Sequence, residues 1–241
     1  MGCCYHFFRF KIKMYIQRIT KKEATSFFQK YEHLGNCGLG VWHYALIHNN
    51  QMLSVVSFGS TAFNPYHSFW GDLGKKYNMK VIQLTRGGTR YDAPKNIPSL
   101  TISMAIKEIR KSLGDCIIIA YSDTKWNEIG TIYQASNFLY CGLTNPGGQS
   151  NYLIKNKIVS GWSVRKAYGT RSMNKLLKID NTIKKIPLTP KHIYLYIKTS
   201  KMKKRLIIKD IEKRYHISEL TYPKRIDFNL QSMRCIRNYT H

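Results

Sequence analysis

Acidic residues are scarce in this 241-residue sequence, in which 13 Asp and Glu stand against 39 Lys and Arg. The formal net charge of +26 exceeds what solubility requires, and such an excess indicates a polyanionic partner, either nucleic acid or an anionic membrane. Runs of about 18 apolar residues are missing, so the sequence predicts no membrane-spanning helix and no membrane partner. The charge therefore predicts a nucleic-acid partner.

Paired cysteines and common nucleotide-binding signatures are also missing. The six cysteines form no CxxC pair and show no zinc-finger spacing with histidine, which fits a reducing cytoplasm. Cys116 and Cys141 flank strand-like segments and are expected to be buried. No Walker or dinucleotide pattern occurs, so those phosphate-binding loops are excluded. A metal site among His33, His43 and His48 matches no ligand motif, so no metal is predicted and a structural role is favoured for them.

What the sequence does contain is an alternation of strand and helix patterns, which predicts an α/β or α+β fold with a mixed sheet flanked by helices. A capping-box pattern of Thr20 and Glu23 predicts a helix over 21–31, and Asn49-Asn50-Gln51 predicts a hairpin turn. The other predicted strands cover residues 7–19, 80–84, 116–121, 141–144 and 192–197. The other predicted helices cover 100–113, with Ser99 as the cap, and 130–140, and a basic helix is expected after residue 200. Residues 64–79 are predicted to form a loop. Residues 1–150 are expected to form a catalytic core. Residues 151–241 are expected to complete the sheet and contact nucleic acid.

Polar residues gather at two places where a strand meets a helix. The loop LTRGGTRYDAPKNIPS (84–99) offers backbone donors at a helix start together with Arg86 and Arg90, which predicts an anion site. In the stretch YSDTKWNEIGTIYQ, Asp123 can accept a proton and Tyr133 can donate one. At both places a structural alternative stays open, in which the polar groups cap turns and helix ends.

A third set combines basic and aromatic side chains. Cations neutralise phosphates and aromatic faces stack on bases, so these residues are predicted to bind nucleic acid. The set comprises Arg90, Trp126, Trp162, Arg165, Lys166 and Arg171.

Four phrases resemble the phage Mom family over about residues 30–200: LTR, APKNIPS, YSDTKWNEIGTIYQASNFLYCG and PKHIYLY. The strand–loop–helix order of 80–144 also resembles the GNAT acetyltransferase fold, in which two splayed strands admit an acyl carrier. Mom enzymes add a carbamoylmethyl group to the exocyclic amine of adenine in DNA and so shield phage DNA from restriction. The resemblance implies a DNA-modifying transferase in the cytoplasm of a bacterial host cell.

The resemblance also implies roles for individual residues. The expected catalytic residues are Asp123, Tyr133, Arg86 and Ser122, and the expected substrate- or donor-binding residues are His33, Asn96, Ser99, Gln134 and Asn137. The fold suggests acetyl-CoA as the donor, whereas the product and the positive charge suggest glycyl-tRNA, so tRNA is a possible second partner. Two alternatives stay open: an acyltransferase or aminoacyl-tRNA-dependent transferase with another substrate, and a non-catalytic nucleic-acid-binding module.

Overall fold

The computed structural model describes residues 14–61, 68–145 and 150–224. The strands in these ranges are Tyr15–Ile19 (β1), Gly40–His48 (β2), Gln51–Gly59 (β3), Lys80–Thr89 (β4), Cys116–Asp123 (β5), Leu139–Leu143 (β6), Ser150–Ile154 (β7), Lys157–Ser160 (β8), Lys184–Pro187 (β9) and Lys191–Lys198 (β10). The helices are Lys21–Tyr31 (α1), Phe69–Lys76 (α2), Ile97–Leu113 (α3), Thr131–Ala135 (α4), Gly161–Tyr168 (α5), Met173–Leu177 (α6) and Lys201–Tyr215 (α7). Short 3-10 turns occur at Thr124–Trp126 and Ile217–Glu219.

Seven strands form one mixed sheet in the order β1-β2-β3-β4-β5-β10-β6, and three form a second sheet in the order β8-β7-β9. This arrangement confirms the predicted mixed α/β architecture. Two compact units divide the chain. Within the described ranges, the first unit comprises residues up to 121, 130–141 and 194–220, and the second comprises 122–129, 142–193 and 221–224.

Local sequence signals explain the first elements. The Thr20 side chain accepts a hydrogen bond from the backbone of Glu23, whose carboxylate accepts one from the backbone of Thr20, so the predicted capping box is confirmed. The predicted hairpin is also confirmed, and its turn consists of Asn49 and Asn50 with φ of 48° and 58°. Asparagine tolerates this left-handed backbone better than most residues, which fixes a two-residue connection.

Two helices cover opposite faces of the large sheet in the first unit. Successive residues of β3 point to opposite faces, so Val55 packs with α1 residues such as Phe28, and Val56 packs with α3 residues such as Ile102 and Ile106. Both valines are almost fully buried. The face covered by α1 carries the polar row described below.

Three predicted element bounds were wrong for identifiable reasons. Helix α3 begins at Ile97 because Asn96, and not Ser99, occupies the cap position, and the Ser99 hydroxyl donates to the Asn96 carbonyl. Helix α4 ends at Ala135 and not near residue 140 because Asn137 adopts a left-handed backbone with φ of 59°. Helix α2 lies in the predicted loop 64–79, where two glycines obscure its helical pattern.

A fourth bound was also wrong: the strand predicted over 80–84 continues to Thr89 as β4, so Arg86 lies in a strand and not in the predicted loop. The strand predicted over 192–197 and the basic helix after residue 200 are confirmed as β10 and α7, and Cys116 and Cys141 are buried as expected. Residues 7–13 of the first predicted strand lie outside the described residues. In the described part of the chain, no helix is long and apolar enough to cross a membrane.

The second unit contains its own small core. The sheet of β7, β8 and β9 packs with α5 and α6 around five buried side chains. These are Tyr152, Ile154, Val164, Leu176 and Ile183. The helices therefore take fixed positions on the small sheet, and their remaining faces point to solvent.

Candidate active site

The parallel strands β4 and β5 stay paired over only four residues on each strand. Lys80–Gln83 pairs with Cys116–Ile119, and the pairing ends there although both strands continue. Beyond this point β4 remains paired with β3 on its other side. Beyond Gln83, β4 is therefore no longer paired with β5, and such an unpaired strand edge is the kind of surface to which an extended ligand can add.

A β-bulge lies immediately beyond this separation. Ser57 opposes Arg86 and the next residue of β3, Phe58, opposes Leu84, so Thr85 is an extra residue in β4. The Thr85 hydroxyl lies within hydrogen-bond distance of the Ser57 carbonyl at 3.0 Å and the Cys37 carbonyl at 3.2 Å. An extra residue shifts the two-residue alternation by one, so Arg86 points to the face opposite Leu84.

The bulge aligns three polar residues on the face covered by α1. His43, Ser57 and Arg86 are directly opposite one another on β2, β3 and β4, so their side chains share one face. His43 Nδ1 lies 2.7 Å from Ser57 Oγ, and both residues are buried. The sequence did not predict this row. His43 showed only the two-residue alternation that is typical of a strand, and no sequence pattern identifies the bulge.

Hydrogen bonds position the two terminal nitrogens of the Arg86 guanidinium but not its Nε. Its Nη1 donates to the Thr85 carbonyl at 2.7 Å, and its Nη2 lies 3.4 Å from Asn36 Oδ1. A Cβ atom added to Gly38 would lie 3.4 Å from the Arg86 guanidinium, so the loop that contains Gly38 packs closely on this group. The Nε atom is buried and has no hydrogen-bond partner among the described residues. A buried donor without a partner costs stability unless a ligand oxygen accepts from it.

The environment of His43 keeps its imidazole neutral. Burial lowers the pKa of His43 below its usual value of 6.5, and the positive charges of Lys21 and Arg18 lower it further. A neutral imidazole both donates and accepts a hydrogen bond, so it can fix the orientation of the Ser57 hydroxyl.

Tyr133 and Gln134 lie together in an aromatic cluster of the first unit. The Tyr133 hydroxyl is 3.5 Å from the Tyr121 carbonyl, and its ring packs on those of Phe138 and Tyr194. The Gln134 amide donates to the Tyr194 hydroxyl at 3.2 Å. Burial raises the pKa of Tyr121 to about 12, so its phenol stays protonated at neutral pH. The two predicted site residues are thus brought together around Tyr194.

Ser122 and Asp123 belong to the second unit. The Asp123 carboxylate caps the following 3-10 turn by accepting from the Lys125 backbone at 3.0 Å. It also accepts from the Thr189 hydroxyl at 3.2 Å and lies 3.4 Å from Lys191 Nζ. The Ser122 hydroxyl oxygen is buried and, like Arg86 Nε, has no hydrogen-bond partner among the described residues.

The remaining predicted binding residues of the first unit lie in ordinary structural positions. Asn96 and Ser99 lie at the start of α3, and Asn137 forms the turn after α4. His33 is exposed, and its Nδ1 lies 3.3 Å from a carboxylate oxygen of Glu32.

The predicted nucleic-acid residues are spread over both units. Arg90 forms a two-bond ion pair with Asp92 and also donates to Gln51. Trp162, Arg165 and Lys166 share the exposed face of α5. The exposed Arg171 accepts a hydrogen bond from the Tyr152 hydroxyl through its backbone carbonyl. The side chain of Trp126 lies outside the described part of the chain.

The described residues contain no cluster of three or more His, Cys, Asp or Glu side chains that could hold a metal ion. The predicted site residues carry hydrogen-bond donors, hydroxyl groups and one carboxylate, that of Asp123. Such groups can bind and orient an oxygen-containing ligand.

Several solved acetyltransferase structures are similar to this chain. A Bacillus subtilis acetyltransferase in complex with CoA is 10% identical, with a TM-score of 0.43, and covers 78% of this chain and 100% of its own. Arabidopsis thaliana NAA60 in complex with acetyl-CoA is 11% identical, with a TM-score of 0.46 and coverages of 77% and 98%. A GNAT family acetyltransferase from Elizabethkingia anophelis with acetyl-CoA bound is 8% identical, with a TM-score of 0.44 and the same coverages. A comparison with curated proteins found no match.

The described residues form an α/β protein whose larger sheet is mixed. The sequence profile of the Mom protein family matches residues 13–224, and the chain belongs to that family. It is accordingly a transferase that modifies adenine in DNA.

Proposed function

We propose that this chain transfers a carbamoylmethyl-type group to the exocyclic amine of adenine in DNA and that Arg86 binds the group during transfer. The observation that carries the proposal is the buried Arg86 Nε, which lacks a partner among the described residues next to the place where β4 and β5 separate. A charged donor held in advance stabilises negative charge that develops on an oxygen of the donor group.

The separated strands supply the proposed donor groove. An extended acyl carrier can hydrogen-bond to the edge of β4 beyond Gln83, where the pairing with β5 has ended. Both acetyl-CoA and glycyl-tRNA carry their acyl group on a flexible, phosphate-containing carrier. Backbone donors at the start of α3, which begins at Ile97, together with the nearby Lys95, suit the phosphates of either carrier.

The exocyclic amine of adenine is a weak nucleophile because its lone pair is delocalised into the ring. The amine nitrogen attacks the acyl carbon of the donor, the amine loses one proton, and the thioester or ester bond between that carbon and the carrier breaks. With glycyl-tRNA this step forms a glycyl amide on adenine, an isomer that an internal rearrangement would convert to the carbamoylmethyl product, whereas acetyl-CoA would give an acetyl amide. We assign Asp123 as the proton acceptor, Tyr133 as the proton donor to the leaving carrier, and Ser122 as a hydroxyl that orients the substrate. Gln134 supports Tyr133 through its bond to Tyr194. His43 and Ser57 are positioning residues for Arg86.

Adenine must leave the duplex to reach these groups, since base pairing covers its amine. The modified adenine is expected to protect DNA that carries it from restriction enzymes that recognise the unmodified base. His33, Asn96, Ser99 and Asn137 are assigned to binding of substrate or donor.

Purified protein tests the donor directly. Duplex DNA is incubated with isotope-labelled acetyl-CoA or with tRNA charged with labelled glycine, and the label is then sought in deoxyadenosine by mass spectrometry. An acetyl group lacks the nitrogen of a glycyl or carbamoylmethyl group, so the added mass distinguishes acetyl from the other two. Glycyl and carbamoylmethyl groups are isomers of equal mass, and fragmentation of the labelled nucleoside distinguishes them. Absence of label from deoxyadenosine with both donors, added separately and together, would contradict the donor proposal.

Replacement of Arg86 tests its role. Arg86→Lys keeps the positive charge but removes Nε and the planar fork, so we expect the rate of transfer to fall by about 100-fold or more while folding is retained. Arg110→Lys, at an exposed position on α3, is the matched control and should leave the rate unchanged. Equal rates for the two variants would exclude Arg86 from the reaction.

A further inference from the structure

The second unit carries a concentration of positive charge. Residues 142–193 contain ten Lys and Arg but only one acidic residue, Asp180. The Asp180 carboxylate is occupied locally, since it accepts from the backbone and the hydroxyl of Thr182. The cations of this segment therefore greatly outnumber the available carboxylates and can attract phosphates.

Helix α5 presents the most specific part of this charged surface. Trp162, Arg165 and Lys166 are exposed and stand three and four residues apart, which places them on one helical face. Trp162 is 71% exposed, and Lys166 Nζ lies 5.5 Å from its ring centroid. The exposed indole face is available for stacking, and the two cations on the same helical face favour an anionic partner.

The helix is fixed in place on its other side. The Ser160 side chain caps its first turn, and Gly169 ends it in a left-handed conformation. Val164 is fully buried in the core of the second unit. The exposed face of α5 is thus presented by a rigid element, which reduces the entropy lost on binding.

We propose that α5 is a DNA-docking helix, in which Arg165 and Lys166 bind phosphates and Trp162 stacks on a base that has left the duplex stack. The proposal rests on the proposed function in one respect, because adenine modification requires DNA with an unstacked base. One exposed aromatic ring between cations suits a base between phosphates. It is too small an apolar surface for a stable protein interface.

Two DNA duplexes of the same sequence test the proposal, one fully paired and one with a single extrahelical adenine. Dissociation constants are measured by fluorescence anisotropy over a range of salt concentrations. The proteins are the wild type, Trp162→Ala, Trp162→Phe and the double variant Arg165→Gln/Lys166→Gln. The matched control is Lys107→Gln/Arg110→Gln, which removes two exposed cations from α3.

We expect the wild type to prefer the duplex with the extrahelical adenine. Trp162→Ala should weaken binding to that duplex by roughly tenfold and abolish the preference, whereas Trp162→Phe should keep most of it. The Arg165/Lys166 variant should weaken binding to both duplexes and reduce the slope of log K against log salt by about 2, one contact for each lost cation. The Lys107/Arg110 control should keep the wild-type slope.

Two results would overturn the proposal. One is Trp162→Ala binding both duplexes with wild-type affinity; the other is a slope change in the control as large as in the α5 variant. A third arm uses uncharged tRNA, and α5 substitutions that weaken tRNA binding alone would assign the helix to RNA. Failure of the proposed function is separable, because a chain that never modifies adenine can still show the predicted α5-dependent DNA binding.

Discussion

Ser122 combines a cost to folding with an expected role in function. Its buried hydroxyl oxygen has no hydrogen-bond partner among the described residues, whereas the buried Ser54 hydroxyl lies 2.9 Å from the Gly88 carbonyl. A buried polar group without a partner carries its desolvation cost into the folded state. Such a cost is commonly found where a protein must bind a substrate.

Ser122→Ala should therefore raise the free energy of unfolding by about 1 kcal/mol and at the same time reduce adenine modification. Ser54→Ala, the control, should lower the free energy of unfolding by about 1–3 kcal/mol because it leaves an acceptor unpaired. Urea unfolding and nucleoside mass spectrometry measure the two quantities. A destabilised Ser122→Ala protein with full activity would refute the assignment.

His43 makes the stability of the fold depend on pH. Its lowered pKa means that the unfolded chain takes up a proton below about pH 6.5 while the folded protein does not. The free energy of unfolding should therefore fall with decreasing pH, by at most about 1.4 kcal/mol per pH unit, until the pH reaches the lowered pKa. Above the ordinary pKa of 6.5 this effect is absent.

His43→Gln keeps a polar group that can bond to Ser57 but does not titrate. We expect its stability to change less than that of the wild type between about pH 7.5 and about pH 5.5 in urea unfolding experiments. Burial lowers the pKa of His192 in the same direction, but His192 is present in both proteins, so their difference isolates His43. Parallel pH profiles would show that His43 does not titrate differently on folding.

Helix α4 and the turn before it depend on a close approach of backbone to an aromatic ring. Gly130 has φ of 66°, and a Cβ atom added there would lie 2.4 Å from the Tyr194 ring. Gly169 has a similar φ of 69° but no atom within 4 Å of such a Cβ. Both glycines adopt a left-handed backbone, but only Gly130 lacks the space for a side chain.

Gly130→Ala should therefore cost more stability than Gly169→Ala. Both pay about 1–2 kcal/mol for the left-handed backbone, and Gly130→Ala adds about 1–3 kcal/mol because Tyr194 must move. Thermal or urea unfolding of the two variants gives the comparison. Equal losses of stability in the two variants would mean that Tyr194 can move away from a Cβ atom at position 130 without an energetic cost.

The elements differ in how far the sequence alone could predict them. The capping box of Thr20 and Glu23 and the Asn49-Asn50 turn are local, so both were predicted correctly. The orientation of Arg86 depends on a bulge in which Thr85 contacts two distant carbonyl groups. Such tertiary contacts leave no periodic signal, and for that reason the sequence named Arg86 as a site residue but not its neighbours His43 and Ser57.

For the molecule as a whole, net charge and family membership indicate the same substrate. A chain with a formal charge of +26 that belongs to the Mom protein family is expected to bind a polyanion, and DNA is the polyanion whose adenine the family modifies. The predicted catalytic residues are distributed over both units, since Arg86 and Tyr133 belong to the first and Ser122 and Asp123 to the second. Sequence pattern could not predict this division, because the second unit combines segments that are distant in the chain.

Nucleoside mass spectrometry on DNA from cells that produce this chain tests the account most directly. We predict a deoxyadenosine whose added mass equals a carbamoylmethyl group, and we predict that it is missing from cells producing Asp123→Ala or Arg86→Lys. The two variants must accumulate to the wild-type level for the comparison to hold. Unmodified deoxyadenosine in cells with folded wild-type protein, or modification at the wild-type level in cells producing either variant, would contradict the account.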